Sequence, residues 1–162
     1  MHALSWRHEL LPGDIGRVTE LHGVLYAEEF SYSYEFEAYV AESLGEFGKR
    51  YDPARDRLWS VELDGRLVGC IGILGREDGA AQLRWFLVHP AARGHGLGRR
   101  LLDEALLFCR ARGYASVYLW TVTGLDASAR LYTAAGFRLA AQTPFTDLWG
   151  VHLAEQQYDL TL

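Results

Sequence analysis

The chain has 162 residues, of which 49% are hydrophobic and 23% are charged. A domain of this size can bury about 70% of its unfolded surface, which excludes a wholly disordered or collagen-like chain. The net charge of −5 disfavours general nucleic-acid binding, and no apolar run approaches the ~20 residues needed to cross a bilayer.

The first fifty residues predict one strand and two helices. A short strand is expected at about 5–10. Asp14 can cap a helix over about 14–27, whose apolar residues recur at helical spacing. A second helix is predicted at about 34–49 on the same evidence.

Three strands are predicted to follow, at about 57–63, 66–74 and 81–88. Asp64-Gly65 lies between the first two and is a strong signal of a tight hairpin. Along the third strand Leu83, Trp85 and Leu87 alternate with Gln82, Arg84 and Phe86, a pattern typical of β-structure.

A clear amphipathic helix is predicted from about Leu97 to Arg112, followed by a strand at 116–121. Because strand–helix–strand units are almost always right-handed, the strands at 81–88 and 116–121 should be parallel. A further helix is predicted at about 126–135, and two strands at about 137–143 and 152–161. The whole chain, 1–162, therefore predicts a single α/β domain built around one mixed sheet.

The segment from Val88 to Arg99 leaves a strand and enters a helix, with glycines at 94, 96 and 98. The first amides of a helix attract anions, and glycine lets a phosphate approach closely. Arg93 and Arg99 add positive charge. Arg99 stands where the dinucleotide fingerprint needs glycine, and no lysine follows as in triphosphate loops. The segment thus indicates a diphosphate ligand of another kind.

Two motifs resemble the GNAT N-acetyltransferase superfamily. The segment 93–98 (RGHGLG), preceded by LVHP at 87–90, is similar to that family's acyl-CoA pyrophosphate loop. The segment 129–137 (ARLYTAAGF) resembles its LYxxxGF signature at the expected distance downstream. The resemblance covers almost the whole chain and implies a GNAT-like acyl-CoA N-acyltransferase fold of about six to seven strands with four helices.

A narrower resemblance links segments 21–29, 36–38 and 119–121 to the acetyltransferase half of certain bacterial MarR-type regulator fusions. The winged-helix half of those fusions is absent here. No DNA-binding role is therefore expected.

The family resemblance implies acetyl transfer from acetyl-CoA to a primary amine through a tetrahedral intermediate, without a metal. It further implies that strands 81–88 and 116–121 splay apart to hold the pantetheine arm, and that the Val88 amide stabilises the oxyanion. The cofactor-binding residues it implies are Phe86, Leu87, Val88, Arg93, Gly94, His95, Gly96, Leu97, Gly98 and Arg99.

Tyr132 matches the family's general acid, which protonates the departing CoA thiolate; the alternative is that it only packs beneath the cofactor. Many relatives carry a glutamate early in the strand before the loop, where this chain has Gln82, which cannot act as a base. Glu29 is the first choice of base, against an equal alternative of a solvated carboxylate. The other candidates are Glu28, His22, His89 and a water chain.

Two other functional hypotheses remain open at this stage. One is a non-catalytic acyl-CoA-binding sensor, which an intact loop without a base would suit. The other is an interaction domain without a ligand, which loss of loop glycines or arginines would have favoured. Retention of Tyr132 and of the loop favours the enzyme.

Cys70 and Cys109 lie in apolar segments without metal-ligand spacing, and the N-terminus carries no apolar signal segment. We therefore expect a bacterial, cytoplasmic protein with reduced thiols, acting on a small-molecule or peptide amine and not on nucleic acid or membrane. A homodimer is compatible with the resemblance, and the identity of the acceptor is left open.

Overall fold

The computed structural model describes residues 3–162. Four α-helices lie in this part of the chain: α1 (Asp14–Phe30), α2 (Tyr34–Lys49), α3 (Leu97–Ala111) and α4 (Asp126–Ala134). The described strands are β1 (Leu4–Arg7), β2 (Arg57–Leu63), β3 (Arg66–Gly75), β4 (Ala80–Val88), β5 (Ser116–Val122), β6 (Arg138–Gln142), β7 (Thr146–Leu148), β8 (Val151–Leu153) and β9 (Glu155–Thr161).

Seven of the strands form one sheet in the order β1-β2-β3-β4-β5-β9-β6. Only β4 and β5 are parallel neighbours, and α3 crosses between them as predicted. The C-terminal strand β9 does not lie at an edge but pairs with β5 on one side and β6 on the other. This mixed α/β arrangement confirms the predicted fold class.

The sheet is covered on both faces. The apolar face of α3 packs on one side with residues of β5 and α4, and it buries Leu97, Leu101, Leu102, Ala105, Leu106 and Cys109. Helices α1 and α2 pack on the other side over a second apolar cluster. Ser33 begins α2 as its N-cap and accepts a hydrogen bond from the Glu35 amide.

The tail differs from the prediction of one strand at 152–161. The structure divides it at Ala154, whose backbone pairs with Thr123 instead of continuing the β7–β8 ladder. Strands β7 and β8 form a separate hairpin with Trp149 and Gly150 at its tip, both at positive φ. Two successive residues at positive φ match the tight turn that suits the twist of a hairpin.

Asp14 does not cap α1 as predicted. Gly13 takes the N-cap position at φ 95°, and α1 continues to Phe30, three residues beyond the predicted end. The Asp14 carboxylate is 2% exposed and accepts hydrogen bonds from Arg7, Arg17 and the Leu11 amide. Burial alone would raise the pKa of Asp14, but these hydrogen bonds outweigh it and lower the pKa to about 2.

Asp14→Asn should therefore destabilise the fold in a pH-dependent way. A folded-state pKa of about 2 against an ordinary 3.8 is equivalent to about 2 kcal/mol of stability at neutral pH. Because the folded-state pKa is lowered, this contribution is present above pH 4 and is lost as the pH falls from 4 to 2. Denaturant unfolding should give a lower free energy of unfolding for the variant than for the native protein at pH 7. This difference should disappear in acid.

Glu46→Gln is the matched control for the Asp14 experiment. Glu46 pairs with Lys49 on the surface of α2, and its side chain is 67% exposed. Exposed ion pairs contribute about 0–1 kcal/mol, so this variant should unfold almost as the native protein does. If Asp14→Asn lowered the free energy of unfolding by the same amount at every pH, the ion-pair explanation would be contradicted.

Candidate active site

Strands β4 and β5 separate soon after they pair. Their parallel register covers three pairs, Ala80–Ser116, Ala81–Val117 and Gln82–Tyr118, and then stops. Beyond that point β4 continues along β3, and β5 continues along β9. The two strands thus open a V-shaped gap in the middle of the sheet, as the family resemblance implied.

A β-bulge in β4 reverses the faces of this strand at the gap. The register with β3 shifts so that Trp85 and Phe86 together oppose Ile71, and Trp85 takes φ 53°. As a result Leu83 faces the α3 side, whereas Trp85 and Leu87 face α1 and α2. The simple alternation predicted from sequence, with Leu83, Trp85 and Leu87 on one face, is therefore wrong.

The Trp85 indole is held in this position by its neighbours. Its Nε1 donates to Ser43 Oγ at 3.1 Å, and its ring lies edge-on to Phe47 at 5.1 Å. Gly72 leaves the space that the indole occupies, since a Cβ there would overlap Trp85 Cε3. Helix α2 and a glycine of β3 thus stabilise the bulge from two sides.

A cavity of about 680 Å³ lies on the loop side of the gap. It is lined by nine of the ten residues predicted to bind cofactor, and the tenth, His95, is exposed on the loop. The first intrahelical bond of α3 runs from Arg100 N to Gly96 O, so the amides of Leu97, Gly98 and Arg99 have no acceptor within the helix. These amides give the cavity its attraction for anions.

Glycine is required at positions 96 and 98 of the loop for different reasons. Gly96 takes φ 76° as the N-cap of α3, and a Cβ there would meet open space. A Cβ at Gly98 would lie 3.2 Å from Leu131 Cδ1 on α4, so Gly98 permits close packing of the two helices. The cradle is therefore shaped by backbone conformation at 96 and by packing at 98.

Arg93 lines the loop-side cavity, and three of its five N–H donors are engaged by protein groups. Its Nη1 and Nη2 donate to the two carboxylate oxygens of Glu29 at 2.9 and 2.7 Å, and its Nε donates to Val88 O at 2.9 Å. The pair joins the last turn of α1 to the loop. It favours a positioning role for Glu29 over that of a base, because both carboxylate oxygens are engaged.

A second cavity of about 370 Å³ lies on the α1–α2 side of the gap. It touches the loop-side cavity through common wall residues, Tyr26, Phe86, Leu125 and Ser128. Helices α1 and α2, strands β4 and β5, helix α4 and the β7–β8 hairpin all contribute to its wall. We call it the acceptor-side cavity.

Tyr132 lines the acceptor-side cavity from α4 and is buried. Its ring lies 6.0 Å from that of Phe86, next to the wall between the cavities. Burial, together with the neighbouring Tyr26 and Tyr158 hydroxyls, raises the pKa of Tyr132 well above its ordinary value. The phenol therefore keeps its proton at neutral pH.

The other predicted base candidates differ in position. Glu28 is exposed, and His89 accepts the Ala91 amide at the start of a 3-10 turn; neither lines either of these two cavities. His22 lines the acceptor-side cavity, and its Nδ1 lies 2.8 Å from Val18 O. Burial lowers the pKa of His22 to about 4, so its imidazole is neutral at pH 7. Gln82 is held by hydrogen bonds from Arg76 and Tyr118.

Among the residues of the acceptor-side cavity that sequence reasoning missed are Arg84, Thr143, Trp149 and Glu155. Arg84 could have been found only with knowledge of the bulge, since it sits in an ordinary alternating strand. The other three reach the cavity through the tail, where the predicted strand 152–161 was divided. No cluster of three or more metal-ligating side chains exists within residues 3–162.

The family model described as Acetyltransferase (GNAT) family matches residues 21–137. The chain belongs to the GNAT acetyltransferase family. This confirms the superfamily predicted from the two motifs.

Curated proteins resemble this GNAT chain over part of their length. N-acetyltransferase 8F1 of Rattus norvegicus is 29% identical over 123 residues, which cover 71% of this chain and 56% of that protein. N-alpha-acetyltransferase RimI of Mycobacterium tuberculosis is 43% identical over 77 residues, covering 46% and 47% respectively. The chain spans about half the length of these curated relatives.

Solved structures share the GNAT fold over nearly the full chain. A GNAT-family acetyltransferase from Desulfovibrio desulfuricans superposes with a TM-score of 0.75 at 22% identity, covering 98% of this chain and 99% of its own. YncA of Salmonella typhimurium, solved with its cofactor acetyl-CoA, gives 0.75 at 22% identity and covers 98% and 94%. At this identity the likeness establishes the fold.

The Glu29–Arg93 pair can be tested by a double-mutant cycle with Glu29→Gln and Arg93→Gln. We expect a coupling in unfolding free energy of at most about 1 kcal/mol, because the bidentate pair is partly exposed. We also expect Glu29→Gln to keep the acidic limb of the pH–rate profile for acetyl transfer. A displaced acidic limb would restore Glu29 as the base.

Proposed function

We propose that this chain is an acetyl-CoA-dependent N-acetyltransferase that acts on a primary amine. The observation that carries the proposal is the gap between β4 and β5, which brings an anion-attracting cavity into contact with a second cavity. The names of several relatives, including RimI of Mycobacterium tuberculosis and YjgM of Escherichia coli, describe N-acetyltransferases and support it.

The loop-side cavity fits CoA in its donors and its shape. Free amides at residues 97–99 and the exposed Arg99 suit a pyrophosphate, and Gly94 and Gly96 leave the approach open. The half-buried and buried backbone of Phe86, Leu87 and Val88 runs from the loop into the gap, where it suits an extended arm. We propose that the Val88 amide stabilises the oxyanion, as the resemblance implied.

When bound, acetyl-CoA supplies the acetyl group, and its sulfur leaves as a thiolate. Tyr132 is the proposed general acid for that thiolate, since it lines the cavity next to the gap and its hydroxyl is protonated at neutral pH. The neutral His22 imidazole lies in the same cavity and can accept a hydrogen bond from the incoming amine. We propose that Glu29 acts indirectly, by holding Arg93 and the loop against α1.

The cellular compartment of the protein is a proposal that rests on its two cysteines. Cys70 and Cys109 are both free and buried, and burial raises the pKa of each thiol to about 12, which suits a protein kept in a reducing compartment. No helix within residues 3–162 has the length and apolarity to cross a membrane. A bacterial cytoplasmic location, a homodimer and kinship with the MarR-type fusions stay predictions.

Binding of acetyl-CoA is tested by calorimetric titration beside Gly96→Glu. This change strains the positive φ and places a carboxylate at the anion-attracting amides, so we expect binding to be lost. Gly113→Glu is the matched control: Gly113 has φ 79° and open space around it, at the other end of α3. The control should bind as the native protein does. Failure of the native protein to bind would overturn the proposed function.

Tyr132→Phe should lower turnover by about 100-fold, the usual contribution of a general acid, with acetyl-CoA affinity nearly unchanged. Thiol release during acetyl transfer and calorimetry measure the two quantities separately. Tyr158→Phe is the control, because Tyr158 adjoins Tyr132 at 6.1 Å between ring centroids and lines neither cavity. Turnover unaffected by Tyr132→Phe would remove this residue from the mechanism. Acetyl-CoA binding without any thiol release would favour the non-catalytic sensor.

A further inference from the structure

The wall of the acceptor-side cavity is dominated by aromatic rings. The rings of Tyr26, Tyr32, Phe36, Tyr39, Trp85 and Trp149 belong to it and come from α1, the α1–α2 connection, α2, β4 and the β7–β8 hairpin. Five of these rings, those of Tyr26, Tyr32, Phe36, Tyr39 and Trp149, pack on one another with centroids 4.6–5.5 Å apart in a continuous chain. Such a wall suits a ligand with an apolar or aromatic body.

Arg84 is the one guanidinium that lines this cavity. Its Nη2 donates to Tyr39 Oη at 2.9 Å, and the guanidinium carbon lies 5.6 and 5.3 Å from the ring centroids of Tyr39 and Trp85. No carboxylate within residues 3–162 lies within 4.0 Å of it, in contrast to Arg93 on the loop side. One neutral hydroxyl therefore uses a single donor of a group that has five.

The bulge in β4 is what brings Arg84 to this cavity together with Trp85. Arg84 precedes the bulge and Trp85 lies within it, and both contact α2, which consecutive residues of a regular strand could not do. The indole and the Tyr39 ring then flank the guanidinium. Arg84 is thus presented to the cavity by a local distortion of the strand and held there by aromatic contacts.

We propose that the acceptor is a hydrophobic α-amino acid or a close analogue, that is, an amine with a carboxylate and an apolar or aromatic body. This proposal rests on the proposed function. Arg84 is the residue that binds the carboxylate. A guanidinium matches a carboxylate with two parallel hydrogen bonds, and aromatic walls strengthen the pairing by excluding water.

The second charged group of the cavity agrees with an acceptor of both signs. Glu155 lines the cavity, and no cation of the described chain lies within ion-pair distance of its carboxylate. Arg84 follows the last β4–β5 pair by two residues, whereas Glu155 pairs with Val122, four residues after Tyr118. The backbone positions of the two residues are therefore offset by about two residues, or ~7 Å, along the strand direction, with Glu155 farther towards the open end.

This charge arrangement disfavours acceptors with several cations. A polyamine or an aminoglycoside would place a second ammonium group against Arg84 between aromatic walls, where like charges repel. A simple arylalkylamine would pack against the aromatic wall but would give Arg84 no anionic partner. The carboxylate is thus the feature that distinguishes the proposed acceptor from amines of the same size.

Matched amines that differ only by a carboxylate test the proposal. The pairs are L-phenylalanine with 2-phenylethylamine, L-tryptophan with tryptamine, and L-methionine with 3-(methylthio)propylamine. With acetyl-CoA in excess, thiol release should give kcat/KM at least about 30-fold higher for the carboxylated member of at least one pair, the order expected for a charge pair that excludes water.

Arg84→Gln should abolish this preference by raising KM for the carboxylated amine of each pair, and Arg84→Lys should restore part of it. Tyr39→Phe is the control: it removes the hydroxyl that Arg84 contacts but keeps the charge, so the preference should persist. Unchanged calorimetric binding of acetyl-CoA shows that each variant is folded.

The outcomes separate the acceptor proposal from the proposed function. If acetyl-CoA binds but the decarboxylated amines are preferred, or Arg84→Gln leaves the preference unchanged, the acceptor proposal is overturned and the acetyltransferase stands. The acceptor proposal is also overturned if acetyl-CoA binds and none of the carboxylated amines is acetylated. If the native protein does not bind acetyl-CoA, the proposed function fails, and the acceptor proposal with it.

Discussion

The separation of β4 from β5 after Gln82–Tyr118 is the constraint on which the rest of the molecule depends. Both cavities border this gap, and every proposed site residue lies on a strand, loop or helix beside it. At the gap, the facing edges of β4 and β5 have no strand to pair with, so the two strands must be stabilised on their other edges. There β3 pairs with β4 along most of its length, and β9 pairs with all seven residues of β5.

The bulge at Trp85 adds a local energetic cost beside the gap. A non-glycine residue in the left-handed region costs roughly 1–2 kcal/mol. Burial of the indole, its hydrogen bond to Ser43 and its contact with Phe47 offset that cost, and Gly72 makes the room. Strain is thus concentrated where the site needs an irregular strand, and α2 provides the compensation.

Much of this fold follows from local pattern, and the parts that do not have identifiable reasons. The loop and α3 could be predicted because glycines, arginines and helical apolar spacing all lie in one continuous segment. The bulge could not, because the alternation from Leu83 to Leu87 looks the same whether or not one residue is extruded; only Gly72 and Ser43, distant in sequence, decide it. The Glu29–Arg93 pair joins residues 64 apart, so no local signal marks it. The β7–β8 hairpin could not be predicted because β8 is separated from β9 at Ala154, and this separation depends on a backbone hydrogen bond from Thr123, which is distant in sequence.

The position of β9 has a consequence for the order in which the chain can fold during synthesis. Because β9 lies between β5 and β6, β5 keeps one open edge until residues 155–161 have left the ribosome. An unpaired edge strand is a site for aggregation and mispairing. The nascent protein must therefore keep this edge of β5 open, and residues 155–161 convert it into the interior of the sheet.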